Sequence, residues 1–370
     1  MPLLFLAPFL AGLLSLALVA LAIGFGWEWQ DDLRREDWKL WVALGLSAFA
    51  LLGRPLILLF LPSDKRPPHA QRDAETRQIP GPNGAEIEVE TVGPAGAPTL
   101  IFTHGWGLNA TVWADYKALL GERFRIVTWD LPGLGRSSRP KDGAETLEVF
   151  ADSLAAVLAA VGAPAVLVGH SIGGMTLQTF ARRHPQALGA QVKGLALVHT
   201  TYTAPDRTMW LRKVWTALRE PLIVPLMRVA VVLSPLLWLQ NWMSYLNGTM
   251  HLAHRLLGFG KHATRQRVDL SAKLAAKGSP AVQARGNIAM LHWDATEVAP
   301  GLTLPVLVIG GNKDLITEAD ASVDIAGRAP GARLKLFDDT GHMGFLERPE
   351  DYATEIAAFA DSAFAAPAQG

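Results

Sequence analysis

The sequence predicts an α/β protein in which a mostly parallel sheet is covered by helices on both faces. A helical insertion interrupts the sheet, and two apolar helices precede it. Three observations carry this reading. From residue 78 onward, short apolar runs rich in β-branched residues alternate with helix-length segments, the pattern of a buried parallel sheet. The alternation stops between about residues 202 and 300, where helical patterns dominate. Residues 2–24 and about 38–61 are apolar and long enough to cross a hydrocarbon core of about 30 Å. The expected layout is a membrane anchor at 1–62, a linker at 63–77, a core in two parts at 78–201 and 301–370, and the insertion at 202–300.

Residues 2–24 contain no charged side chain and lack the positive segment that precedes the apolar region of a cleaved signal peptide. They read as the first of two spans in a hairpin. Trp27, Trp29, Trp38 and Trp41 surround the polar segment 31–37, where indoles sit at headgroup level. Arg54 and Pro55 interrupt the second stretch. Either Arg54 snorkels to the far interface, or the span ends there and 55–62 lies along the surface. Lys65, Arg66, Arg72 and Arg77 outnumber Arg34, Arg35 and Lys39, so the positive-inside rule leans towards a cytoplasmic main domain on a multi-pass membrane protein.

In the body, the turn at Pro82-Asn-Gly84 precedes the alternating Ile87, Val89 and Thr91, and a second turn precedes the strand 99–103. A helix at about 110–120, a strand at 125–129, a helix at about 146–161 and a strand at 165–168 follow. Further strands are expected at 192–198, 305–309 and 333–337, with helices near 318–328 and 349–362. Within the insertion, 221–239 is more apolar than a small solvated element needs. It reads as a lid that docks on a bilayer and lines an acyl pocket, or as a segment packed on the main domain. Pro225, Arg228 and Pro235 argue against a third span.

Composition excludes several functions. The 34 basic and 34 acidic residues balance, so the chain has no electrostatic footprint for nucleic acid. Cysteine is absent, which removes disulfides, a thiol nucleophile and thiolate metal ligation. His251 and His254 stand at i, i+3 spacing, but no acidic residue or third histidine lies near them in sequence to complete a zinc site, so neither metal nor cofactor is expected.

The chemistry centres on Gly169-His-Ser171-Ile-Gly173, which follows an apolar strand and opens a helix. Such a turn strains the serine backbone and lifts its hydroxyl clear of the sheet, so the positions two before and two after must be small. The Ile172 amide at the helix start is placed to meet negative charge on a substrate oxygen, and the loop His104-Gly-Trp106-Gly supplies Trp106 as a second donor. A serine nucleophile needs a base and a group that orients it, arriving in the order Ser, Asp, His after later strands. Asp314 and His342 follow successive predicted strands in that order, and Asp338 and Asp339 read as turn residues beside the histidine. His104 reads as a brace for its loop, His170 as packing beneath the turn, and Asp130 as the residue that fixes the turn before Ser137.

The segments His104-Gly-Trp-Gly, Asp130-Leu-Pro-Gly-Leu-Gly-Arg-Ser, Gly169-His-Ser-Ile-Gly-Gly-Met, Gly311-Asn-Lys-Asp and Asp339-Thr-Gly-His together resemble the α/β-hydrolase superfamily over about residues 78–360. Within it the chain is similar to serine carboxylesterases and lipases. Serine at 171 departs from epoxide hydrolases and haloalkane dehalogenases, which carry an aspartate nucleophile at this turn. The resemblance implies an α/β-hydrolase fold with Ser171 as nucleophile, His342 as base, Asp314 as its orienter, and Trp106 and Ile172 as oxyanion donors. The expected activity is cleavage of lipophilic acyl esters through an acyl-serine, with the bilayer as partner. Thioester hydrolysis, acyl transfer, perhydrolysis and carbon-carbon cleavage use similar sites and stay open as alternatives, as does a silent scaffold on the same fold.

Overall fold

The computed structural model describes residues 2–31, 37–64 and 75–366, with side chains from residue 9 onward. The basic residues 34, 35, 65, 66 and 72, on which the orientation of the hairpin rested, lie outside the described residues.

Among the described residues, eight strands form one sheet: β1 (Glu75–Pro80), β2 (Glu86–Val92), β3 (Thr99–Thr103), β4 (Arg125–Trp129), β5 (Ala165–His170), β6 (Val192–Val198), β7 (Val306–Gly311) and β8 (Arg333–Phe337). Their order is β1-β2-β4-β3-β5-β6-β7-β8, antiparallel at β1/β2 and β2/β4 and parallel from β4 onward. This is the α/β-hydrolase fold. β1 was not foreseen. It begins inside the stretch expected to be linker, because Glu75-Thr-Arg-Gln carries no apolar alternation and forms a strand only by pairing with Thr91 to Glu88 of β2.

Side chains along each strand point alternately to opposite faces. Leu167 of β5 therefore enters one core with Ile101 and Leu197, while Val166 and Val168 enter the other with Phe102 and Ala196. The first core is closed by α4 (Leu147–Val161) and α5 (Ile172–Arg183), the second by α3 (Ala114–Leu120) and the C-terminal helix Pro349–Ala365. All six residues of β5 are buried, as a central parallel strand requires. Thr146 caps α4 by accepting from the Val149 amide at 3.3 Å, and Gly162 ends it in the left-handed region at φ 67°.

The N-terminal helices are α1 (Pro2–Asp31) and α2 (Asp37–Leu59), and both are long and apolar enough to cross a membrane. Trp27, Trp38 and Trp41 are exposed near the turn between them. The helix α2 runs on through Pro55 to Leu59, and Arg54 does not reach outward. It turns inward, where its guanidinium donates twice to the half-buried Asp269, each at 2.8 Å, because a carboxylate offers it better partners than an interface would.

Between β6 and β7 the chain is helical: α6 (Arg212–Leu218), α7 (Val224–Val232), α8 (Ser234–Leu246), α9 (Thr249–Gly258), α10 (Arg265–Lys277) and α11 (Pro280–Leu291). The first two are joined by a π turn at Arg219–Ile223. A 95° bend separates 212–232 from α8, with Pro235 in the first turn of the new helix. These helices form a cap that packs on both α1 and the sheet domain. Arg267 of α10 ties the pieces together, since its guanidinium pairs with Asp64 after α2 at 2.8 Å and with Asp115 of α3. The chain closes with α12 (Ala319–Arg328), α13 (Gly344–Glu347) and α14 (Pro349–Ala365).

Candidate active site

Ser171 stands between β5 and α5 at φ 56° and ψ −119°, a conformation an L-residue adopts only when its surroundings force it. Two glycines make that possible. A Cβ on Gly169 would come within 2.5 Å of the Gly173 carbonyl carbon, and one on Gly173 within 2.4 Å of the Thr103 carbonyl oxygen. Both contacts are with backbone, which cannot move aside.

The loops after β5, β7 and β8 bring together the three residues that the sequence singled out. His342 Nε2 lies 2.9 Å from Ser171 Oγ, and His342 Nδ1 lies 2.9 Å from Asp314 Oδ2. All three are buried, Ser171 at 1%, His342 at 0% and Asp314 at 3% exposure. An imidazole so placed can take a proton from the hydroxyl while the carboxylate holds its other nitrogen as a donor. Neither Asp338 nor Asp339 competes for the histidine. Asp338 accepts from the Asn312 amide, and Asp339 occupies a turn at φ 59°.

Asp314 is held by more than His342. Its Oδ1 accepts from the Ile316 and Thr317 amides at 2.8 and 2.9 Å, and its Oδ2 also accepts from Thr317 Oγ1 at 2.9 Å. A second imidazole, His199, places Nδ1 on the same Oδ2 at 2.9 Å. Burial alone would push this carboxyl up, but the two histidines and the hydrogen bonds they supply outweigh it and hold Asp314 well below the usual carboxylate range.

His199 was not anticipated. It follows β6 at φ 46°, and its Nε2 lies 2.7 Å from the Tyr352 hydroxyl. Burial keeps that phenol protonated, so it donates to Nε2, and the His199 Nδ1–H is left to face the aspartate. The available signal was a polar triplet, His199-Thr-Thr201, at the end of an apolar strand. Its partner is 115 positions away, and only the β6/β7 pairing makes them neighbours. His199, Asp314 and His342 offer ligand atoms within 4.8 Å of one another, a spacing a metal could use. Both Nδ1 atoms carry their protons towards Asp314, which leaves them without a lone pair for a cation.

His104 braces its loop. Its Nε2 accepts from the Leu131 amide at 3.0 Å, which leaves Nδ1–H to donate to the Gly105 carbonyl at 2.8 Å. Trp106 is buried, its ring tilted against that of Phe150, and its indole donates to the Gln283 carbonyl of α11 at 3.2 Å. The loop beside the serine is thereby tied to the cap. Ile172 opens α5, where first-turn amides have no partner within the helix. Asp130 accepts from the Ala110 and Arg136 amides at 2.8 and 2.7 Å and so fixes both flanking turns. In the cap, His251 and His254 do not share a ligand position: His251 Nε2 pairs with Asp269 and His254 Nδ1 with Ser271.

His170 sits beneath the turn, its ring 4.9 Å from that of His342 and its Nε2 3.0 Å from the His342 carbonyl. Burial, with His342 and His199 close by, holds this imidazole well below its ordinary value. Below about pH 6.5 the unfolded chain binds a proton here that the folded chain does not, so this residue lowers stability as pH falls, by at most about 1.4 kcal/mol per pH unit. Denaturant midpoints at pH 7.5 and 5.5 are expected to fall more for the wild type than for His170→Phe. Equal falls would show that another group carries the acid sensitivity.

The fold and this site define a class, and the chain belongs to it: the alpha/beta hydrolase fold family, whose model matches residues 98–349, from just before β3 to the start of α14. Its relatives include the pimeloyl-[acyl-carrier protein] methyl ester esterase of Aromatoleum aromaticum, 31% identical over 261 residues that make up 70% of this chain and 96% of that protein. The enzyme of the same name from Chromobacterium violaceum is 29% identical, over 73% of this chain and 96% of its own. Among solved structures, an esterase from Exiguobacterium antarcticum superposes with a TM-score of 0.64 at 19% identity, covering 78% of this chain and all of that one. A membrane phospholipase A described as a bacterial virulence factor gives 0.62 at 22% identity, over 79% of this chain and 87% of its own. At those identities the structural likeness speaks for the fold. The family match leaves α1 and α2 outside.

Proposed function

We propose that this protein is a membrane-anchored serine esterase that cleaves lipophilic acyl esters through an acyl-serine intermediate. The observation that carries the reading is the buried chain from Ser171 Oγ through His342 to Asp314, with 2.9 Å at each step, on the loops after β5, β7 and β8. Ser171 attacks the ester carbonyl as His342 Nε2 takes its proton. The Trp106 and Ile172 amides hold the tetrahedral oxyanion. His342 then passes the proton to the departing alcohol, and in the second half of the cycle it activates a water that releases the acid and restores the serine. None of these steps requires a cofactor.

The relatives named as methyl ester esterases support an ester as the substrate, and the apolar helices α1, α2, α7 and α8 support a greasy one. The test is covalent labelling by a fluorophosphonate together with hydrolysis of an acyl ester series from acetyl to long chain, each with and without phosphatidylcholine vesicles. Labelling that disappears in Ser171→Ala is expected, with turnover that rises to at least medium chains and increases with vesicles. A strong preference for acetyl esters that vesicles leave unchanged would sink the lipophilic part of the proposal. Absence of labelling in folded, detergent-solubilised protein would sink the serine mechanism.

A further inference from the structure

Two polar clamps join the N-terminal hairpin to the cap, and both lie well along the apolar helices rather than at their ends. The first is centred on Ser15 of α1, which is fully buried. Its hydroxyl lies 3.0 Å from Ser244 Oγ and 2.9 Å from Thr249 Oγ1, and it accepts from Asn247 Nδ2 at 2.8 Å. Small residues allow the approach: a Cβ on Gly12 would overlap Gln240, and one on Gly53 of α2 would meet the Asn247 carbonyl at 2.6 Å. The second clamp is the fork of Arg54 on Asp269, with the Tyr245 hydroxyl and His251 Nε2 on the same carboxylate at 3.1 and 2.8 Å.

The position of these clamps along the helices decides where the cap sits. The exposed indoles Trp27 and Trp38 mark the turn end of the hairpin. At 1.5 Å per residue, Ser15 lies about 18 Å along α1 from Trp27, and Arg54 about 24 Å along α2 from Trp38. A hydrocarbon core is about 30 Å thick. If the hairpin crosses a bilayer with its indoles at one interface, both clamps therefore fall within the core, and so must the residues of α8, α9 and α10 that they hold. The clamps meet the demand that polar groups at such depth be satisfied by one another.

The outer surface of the cap agrees. Leu226, Val229, Val232, Leu236, Trp238 and Leu239 of α7 and α8 are all exposed, between 40% and 77%. Arg228 is the one charged residue between Pro221 and Met250. This face continues into the exposed Leu13, Leu14 and Leu16 of α1 and Leu51, Leu52 and Leu56 of α2. An apolar groove of about 150 Å³ runs along the seam between α1 and the cap, lined by Phe9, Leu226, Val229, Leu233 and Leu237.

We infer that the α7–α8 elbow of the cap is inserted in the bilayer, fixed by the Ser15 and Arg54 clamps at the depth of the far half of the hairpin. The partner of this surface is the hydrocarbon of the membrane. The inference rests on the membrane part of the proposed function and is independent of the serine chemistry. It makes the hairpin a structural part of the cap rather than a tether attached to a soluble enzyme.

The chain has no cysteine, so single cysteines can be placed without background. Leu236→Cys and Leu239→Cys report on the cap, Leu14→Cys on α1, and Glu122→Cys on an exposed position of the sheet domain. Each full-length variant is labelled with bimane in detergent and reconstituted into phosphatidylcholine vesicles carrying nitroxides on the acyl chains. The expected result is quenching at 236 and 239 to at least half the extent seen at 14, with none at 122. Quenching at 14 but not at 236 or 239 would overturn insertion of the cap while leaving the anchor. Absence of quenching at 14 as well would overturn the membrane placement of α1, and the inference with it. Ser171-dependent ester turnover of the same variants is read separately, so failure of the catalytic reading is distinguishable from either outcome.

Discussion

Ser171→Ala is expected to lower ester turnover by about a million-fold, His342→Ala by a similar factor, and the double variant no further than either alone. In the proposed mechanism the two residues make one nucleophile. With Ser171 Oγ 2.9 Å from His342 Nε2, the histidine has no proton to take once the hydroxyl is gone, and the hydroxyl is a poor nucleophile once the base is gone. What would remain is the contribution of the proposed oxyanion donors, the Trp106 and Ile172 amides, and of substrate binding, about a thousand-fold or more over water. Single-turnover kinetics on a medium-chain ester in detergent would measure all three variants. Multiplicative losses in the double variant would mean that the residues act in separate steps.

Asp314→Asn is expected to cost about ten-thousand-fold in kcat, and here the surroundings make the substitution unusually unforgiving. Oδ2 accepts from three donors, His342 Nδ1, His199 Nδ1 and Thr317 Oγ1, and Oδ1 accepts from two backbone amides. An asparagine has one acceptor end. If its NH₂ takes the place of Oδ2, it faces two imidazole N–H groups, and His342 must change tautomer and turn an N–H towards Ser171, where it accepts no proton. If its NH₂ takes the place of Oδ1, it opposes the Ile316 and Thr317 amides. Either way buried donors lose partners at about 1–3 kcal/mol each, so the denaturation midpoint should fall along with kcat. Measuring kcat together with the midpoint tests both. A loss of less than about tenfold would show that Thr317, 3.3 Å from His342 Nδ1, orients the base without the carboxylate.

Much of this architecture could be read in the chain before folding. The apolar runs of β3, β5, β6 and β7 are buried on both faces and need no partner to be recognised. The glycines around Ser171 announce a backbone constraint that is local, and Asp314 and His342 stand directly after their strands. The two N-terminal helices, long and apolar enough to cross a membrane, declare themselves by length and scarcity of charge. β1 was hidden because an exposed edge strand carries no hydrophobic alternation and exists only through its ladder with β2. The path of Arg54 was hidden for a related reason. Whether an arginine in an apolar helix snorkels or turns inward depends on whether a carboxylate waits for it, and Asp269 comes from a helix more than two hundred residues later.

By itself the sequence determined the alternation of strands and helices from β2 onward, the strained turn at Ser171 and the placement of Asp314 and His342 directly after later strands, since each depends on short-range sterics or on the fixed rule that loops at strand ends carry the site. Tertiary structure alone decided which groups complete the electrostatics and where the cap lies. His199 reaches Asp314 because parallel pairing sets β6 beside β7, and Tyr352 orients that histidine from the last helix. Ser15 becomes a clamp because Ser244, Asn247 and Thr249 converge on it from the cap. Such contacts join residues whose separation along the chain carries no pattern, and their energies come from burial and from charges meeting at about 3 Å, which only the folded chain brings about.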